Sequence, residues 1–86
     1  MSWRVAFTKA AAKELRALDP KVRARIRVAI DAKLLIDPRA HLLPLSGNRR
    51  GFFKFRVGAY RLLCKREDAV WLVLVVKVAH RGSVYR

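Results

Sequence analysis

The side chains in this sequence best suited to chemistry are cations with a phenol among them: Lys54, Arg56 and Arg61, then His80, Arg81 and Tyr85. Lysine and arginine donors can hold a phosphate and stabilise the extra charge that develops as it becomes five-coordinate, without a metal. Metal chemistry has little to work with. The acids are Glu14, Asp19, Asp31, Asp37, Glu67 and Asp68, and their spacing forms no ligand cluster with His41, His80 or Cys64. No metal site and no cofactor are therefore expected. Catalysis by paired carboxylates lacks its pair for the same reason. There is no glycine-rich phosphate loop, and no Ser-His-Asp set stands out by spacing.

The overall charge points the same way. Twenty Lys and Arg against six Asp and Glu leave +14 on 86 residues, a surface that attracts polyanions and releases counterions for each phosphate it neutralises. A nucleic acid or a strongly acidic protein is the expected partner. Hydrophobic residues make up 53% of the chain, enough for one core but too short a chain for two, so residues 1–86 form a single domain. Cys64 is the only cysteine, which rules out an intrachain disulfide and fits a reducing compartment. The first residues, Met1 to Phe7, lack the apolar run and cleavage site of a signal peptide. The apolar stretch from Ala69 to Ala79 is about half a membrane span and contains Lys77, so it reads as a buried strand. No membrane partner is expected, and the location is cytoplasmic.

The elements that must position these side chains follow from periodicity. Trp3, Val5 and Phe7 alternate as a half-buried strand from Ser2 to Phe7. Thr8 offers an N-cap, and Ala11, Leu15 and Leu18 recur at helical spacing in a first helix over Lys9 to Leu18. Asp19-Pro20 starts a second, basic helix that carries Val22, Ile26, Ala29, Ile30 and Leu34 on one face and stops at Asp37-Pro38. A loop follows through Arg50. Phe52 to Val57 alternates, with Phe53, Phe55 and Val57 on one face and Phe52, Lys54 and Arg56 on the other. Gly58-Ala59 suits a tight hairpin with glycine first. Strands Tyr60 to Arg66 and Val70 to Val78 follow, the last one apolar on both faces and so expected at the sheet centre, with a tail from Ala79. The fold class is α+β, in the order β-α-α-β-β-β, with an antiparallel-rich twisted sheet and two N-terminal helices packed on one face. In that arrangement the hairpin and the tail can bring Lys54, Arg56, Arg61, His80, Arg81 and Tyr85 to one concave surface.

The segments Leu45-Ser46-Gly47, Phe52 to Leu63 with its Val57-Gly58-Ala59-Tyr60-Arg61 hairpin, and His80-Arg81-Gly82-Ser83-Val84-Tyr85 together resemble the RelE branch of the RelE/ParE toxins. The resemblance spans nearly the whole chain. It implies a ribosome-dependent ribonuclease that cuts messenger RNA in the decoding site by attack of the ribose 2′-hydroxyl on the adjacent phosphate. It also implies an acidic, RelB-like antitoxin partner and a toxin–antitoxin hetero-oligomer. Carried over by position, Arg61 stabilises the transition-state phosphate, Arg81 supports the leaving oxygen, and Tyr85 is the base. Lys54 helps to lower the proton affinity of that tyrosine, since a phenol ionises more readily beside cations.

Two departures stand out. Some members carry a second lysine where this chain has Phe52, so cationic support for Tyr85 is thinner; Arg56 or His80 can compensate, and His80 is itself an alternative proton carrier near neutral pH. The sequence also stops at Arg86, just after Tyr85, without the closing helix of some relatives. On the second helix, Arg23 and Arg27 belong to a basic row that either meets ribosomal RNA backbone or is a solvated face. Two other classes compete with the nuclease: a ParE-like inhibitor of DNA gyrase, and a non-catalytic RNA-binding module. The ending from His80-Arg81 to Tyr85 favours the RelE branch.

Overall fold

The computed structural model describes residues 2–80, so Arg81 and Tyr85 lie outside the described residues. Strand β1 (Arg4–Phe7) gives way to helix α1 (Lys9–Arg16) at Thr8, whose hydroxyl oxygen accepts from the Ala11 N–H at 3.1 Å and satisfies one of the first-turn donors. The other end of α1 is closed from outside. Arg23 Nη1 donates to the Arg16 and Leu18 carbonyls at 2.9 and 3.0 Å. Asp19 caps helix α2 (Pro20–Ala29) by accepting from the Lys21 N–H at 2.9 Å, with Pro20 at the first helical position.

Both helix starts match the expectation from sequence; the end of the second does not. From Ile30 to Leu34 the backbone widens into a π-helical turn in which the Leu35 N–H donates to the Ile30 carbonyl. Beyond it the expected loop contains structure of its own, a one-turn helix α3 (Pro38–His41) and a two-residue strand β2 (Leu43–Pro44). The reason is burial: Pro38 and Leu42 sink into the protein and hold this segment against the sheet.

Strands β3 (Phe53–Val57), β4 (Tyr60–Glu67) and β5 (Leu72–His80) complete a five-stranded sheet in the order β1-β5-β4-β3-β2. Only the β1–β5 pair is parallel. The last strand was expected at the centre, but that place goes to β4, because β2 extends the sheet on the β3 side and β1 alone flanks β5 on the other. Strand β5 also runs through His80, past the expected end at Val78. At the β3–β4 hairpin Gly58 takes φ +58°, the left-handed value that a first central glycine supplies.

One irregularity sets which side chains face which way. Leu63 pairs with Lys77 and Cys64 with Val75, so β5 carries one extra residue, Val76, in a β-bulge. Val73, Val75 and Val78 consequently all turn towards the helices and are buried, which simple alternation from Val75 would forbid for Val78. They join Phe55, Val57, Leu62 and Cys64 from the sheet and Ala11, Ile26, Ile30 and Leu34 from the helical layer in one core. Both helices therefore cover a single sheet face, as the pattern of apolar positions implied.

Beyond β1 the edge of β5 is held by Glu14 of α1. Its carboxylate accepts from the Val78 N–H at 2.8 Å and pairs with Lys77 Nζ at 3.1 Å. Glu14→Ala strands a partly buried backbone donor and should cost about 1–3 kcal/mol in urea denaturation. Glu14→Gln keeps an acceptor and should cost less.

Candidate active site

Residues opposite one another in the ladder share a face, and this places the cations on the side away from α1 and α2. Arg56, Arg61 and Ala79 form one row across β3, β4 and β5; Lys54, Leu63 and Lys77 form the next. Lys65 lies on the same face one row further along β4. Lys54, Arg56 and Arg61 are thus brought together. Lys65 and Lys77 join them, and sequence reading singled out neither; strand alternation from Arg61 was the signal for Lys65, whereas the bulge hid that for Lys77. Lys77 is largely neutralised by Glu14, but no carboxylate of the described residues lies within ion-pairing distance of Lys54, Arg56 or Lys65.

Arg56 stands directly across from Arg61. Like charges in opposed positions repel, and two neighbouring guanidinium groups are suited to holding a phosphate together.

The remaining site residues divide. His80 is opposite Tyr60, with the two rings edge-on at 5.2 Å between centroids, so the register puts it on the helix side and away from Arg61. Arg23 is committed to the carbonyls that end α1. Arg27 is exposed on α2 and, with Asp31, adds charge to a cleft of about 300 Å³ otherwise lined by Val5, Phe7, Leu15, Ile26, Ile30 and Leu35. Arg81 and Tyr85 are outside the described residues.

Cys64 is fully buried, and desolvation pushes its thiol up from an ordinary value near 9 to about 12. It is a core residue and no nucleophile. Alkylation by iodoacetamide at pH 8 should proceed only through unfolding, so its rate should rise steeply in urea and stay slow in buffer. The large aromatics also pack: Trp3 is buried with Trp71 tilted against it at 5.2 Å, and Arg66 lies 4.7 Å over the Phe53 ring. Among the described residues no three of His, Cys, Asp and Glu gather as metal ligands, and no helix is long and apolar enough to cross a membrane.

Similar folds and sequences occur in known proteins. Residues 5–85 match the family model described as ParE toxin of type II toxin–antitoxin system, parDE. The chain is 33% identical over 86 residues to Toxin RelG of Mycobacterium tuberculosis, covering all of this chain and 99% of that one. The crystal structure of the RelBE2 toxin–antitoxin complex from the same organism is similar at a TM-score of 0.87 and 30% identity, over 96% of this chain and 95% of that one. The isolated RelE toxin of E. coli is similar at 0.75 and 25% identity, over 96% and 88%. With fold, family model and identity agreeing along nearly its whole length, the chain belongs to the RelE/ParE superfamily of toxins from type II toxin–antitoxin systems.

Proposed function

We propose that this toxin is a ribosome-dependent endoribonuclease that cuts messenger RNA in the decoding site without a metal. The observation that carries the reading is the opposed pair Arg56 and Arg61, beside Lys54, on the sheet face opposite the one that α1 and α2 cover. In the reaction the ribose 2′-oxygen bonds to the adjacent phosphorus and loses its proton to a base. The bond from phosphorus to the 5′-oxygen breaks, and that oxygen takes up a proton. A cyclic 2′,3′-phosphate and a 5′-hydroxyl remain.

Arg61 stabilises the charge of the five-coordinate phosphate, and Lys54 and Arg56 hold the strand. Arg81 supports the leaving oxygen. Tyr85 takes the proton in preference to His80, because His80 is set against Tyr60 on the other face. Control comes from an acidic, RelB-like antitoxin. Its charge complements the +14 of the toxin, and the cleft lined by Val5, Phe7, Leu15, Ile26, Ile30 and Leu35 beside Arg27 and Asp31 suits one of its hydrophobic side chains.

Purified toxin added to translating ribosomes should produce breaks within codons, mapped as 5′-hydroxyl ends, and Arg81→Ala should abolish them while retaining antitoxin binding. An intact message in the presence of antitoxin-competent toxin would sink the proposal. The parDE description of the matching family model supports a second reading, inhibition of DNA gyrase. A supercoiling assay separates the two, since the nuclease should leave gyrase untouched.

A further inference from the structure

Lys65 and Phe52 have no part in the machinery assigned so far, yet they form a unit on the same open face. Continuing the Phe53–Cys64 pairing by one residue sets Phe52 across from Lys65, and Lys65 Nζ rests 5.2 Å from the centre of the Phe52 ring. The ring is held from behind: the Phe52 N–H donates to the Arg49 carbonyl and the Phe52 carbonyl accepts from the Leu45 N–H, both at 3.0 Å. Phe52 is nonetheless only half-buried, and Lys65 is exposed. An aromatic ring fixed by its backbone and left on a cationic face away from α1 and α2 has little value to the core, whose residues lie on the other side of the sheet.

Lys65 lies four residues from Arg61 on β4, about 13 Å along the strand. That is the reach of a short stretch of extended RNA. We infer that Phe52 and Lys65 form a subsite for a nucleotide flanking the cleaved bond, its base stacked on the Phe52 ring and its phosphate held by the Lys65 ammonium. The flexible lysine stem lets the ammonium leave the ring for the phosphate when the base arrives. An acidic peptide would use the cation alone and leave the ring idle, whereas single-stranded nucleic acid uses both. The inference rests on the proposed nuclease reading, because Arg61 marks the position of the cleaved phosphate.

The probe is a fluorescent RNA hexamer with 2′-O-methyl riboses, which cannot react because the attacking hydroxyl is blocked. Anisotropy titrations across a salt series should show that Lys65→Ala lowers the slope of log affinity against log salt by about 0.7, the value of one phosphate contact on a single strand. Lys65→Arg should restore it. Phe52→Leu should weaken binding about tenfold with the slope unchanged. Lys33→Ala removes an equal charge from the exposed end of the π-helical turn and should do neither.

Wild-type affinity and slope in both Lys65→Ala and Phe52→Leu would overturn the subsite, as would an equal slope loss in Lys33→Ala or no hexamer binding by the wild-type toxin. Loss of antitoxin capture with RNA binding intact would assign the pair to the antitoxin and likewise overturn it. Cleavage on ribosomes is scored separately. A wild-type toxin that binds the hexamer through this pair but never cuts message leaves the subsite standing and removes the nuclease. One that cuts, with both variants at wild-type KM and hexamer affinity, does the reverse.

Discussion

Arg61→Ala should lower the rate of message cleavage on ribosomes by about two to three orders of magnitude, the usual effect of removing one preorganised donor from a developing charge. The loss should fall on kcat, since the interaction strengthens only as the phosphate becomes five-coordinate. Antitoxin capture should persist. The melting temperature should stay within a few degrees of wild type, because the substitution also removes one partner of the opposed Arg56–Arg61 pair and offsets any lost packing of the stem. Arg61→Lys should recover only part of the rate, as the point charge lacks the planar fork that grips two phosphate oxygens. Equal cleavage by wild type and Arg61→Ala would remove Arg61 from the chemistry, and with it the main support for a phosphate site on this face.

Leu62→Ala should be the most damaging single truncation for the fold, at about 2–5 kcal/mol. Leu62 is completely buried on the central strand, in the same row as Phe55 on β3 and Val78 on β5. Those neighbours are fixed by the ladder on both sides, so the space cannot close by a strand shift. A domain of this size has a total stability of roughly 4–13 kcal/mol, so the variant should melt more than about 10 °C lower or fail to accumulate. Thermal unfolding followed by circular dichroism reads the effect. A shift of only a degree or two would mean that the core relaxes around the cavity and that β4 is less constrained than its pairing implies.

Much of the candidate site was legible in the sequence because its parts are local. Phe52 to Arg61 is one hairpin, and with Gly58 fixing the turn, alternation alone puts Lys54, Arg56 and Arg61 on one face and Phe55 and Val57 on the other. The helix starts at Thr8 and Asp19 were equally local, each decided by an oxygen and an N–H a few residues apart. The arginine row of α2 was legible only as a pattern. Its spacing did not disclose that Arg23 would spend its guanidinium on the end of α1.

By itself, then, the sequence determined the charge, the two capped helices, the hairpin and the family to which the chain belongs. The tertiary structure decided what depends on contacts far apart in the chain. Parallel pairing of β1 with β5, and the burial of Pro38 and Leu42 that lets β2 join, moved the sheet centre from β5 to β4. The bulge at Val76 was decisive for the surface: by inserting one residue it turned Val78 into the core, Lys77 out towards Glu14, and His80 away from Arg61 to rest against Tyr60. No local preference in β5 marks that residue, because its apolar side chains fit either face. Only competition between the core, the edge held by Glu14 and the partner strand fixes where the register slips.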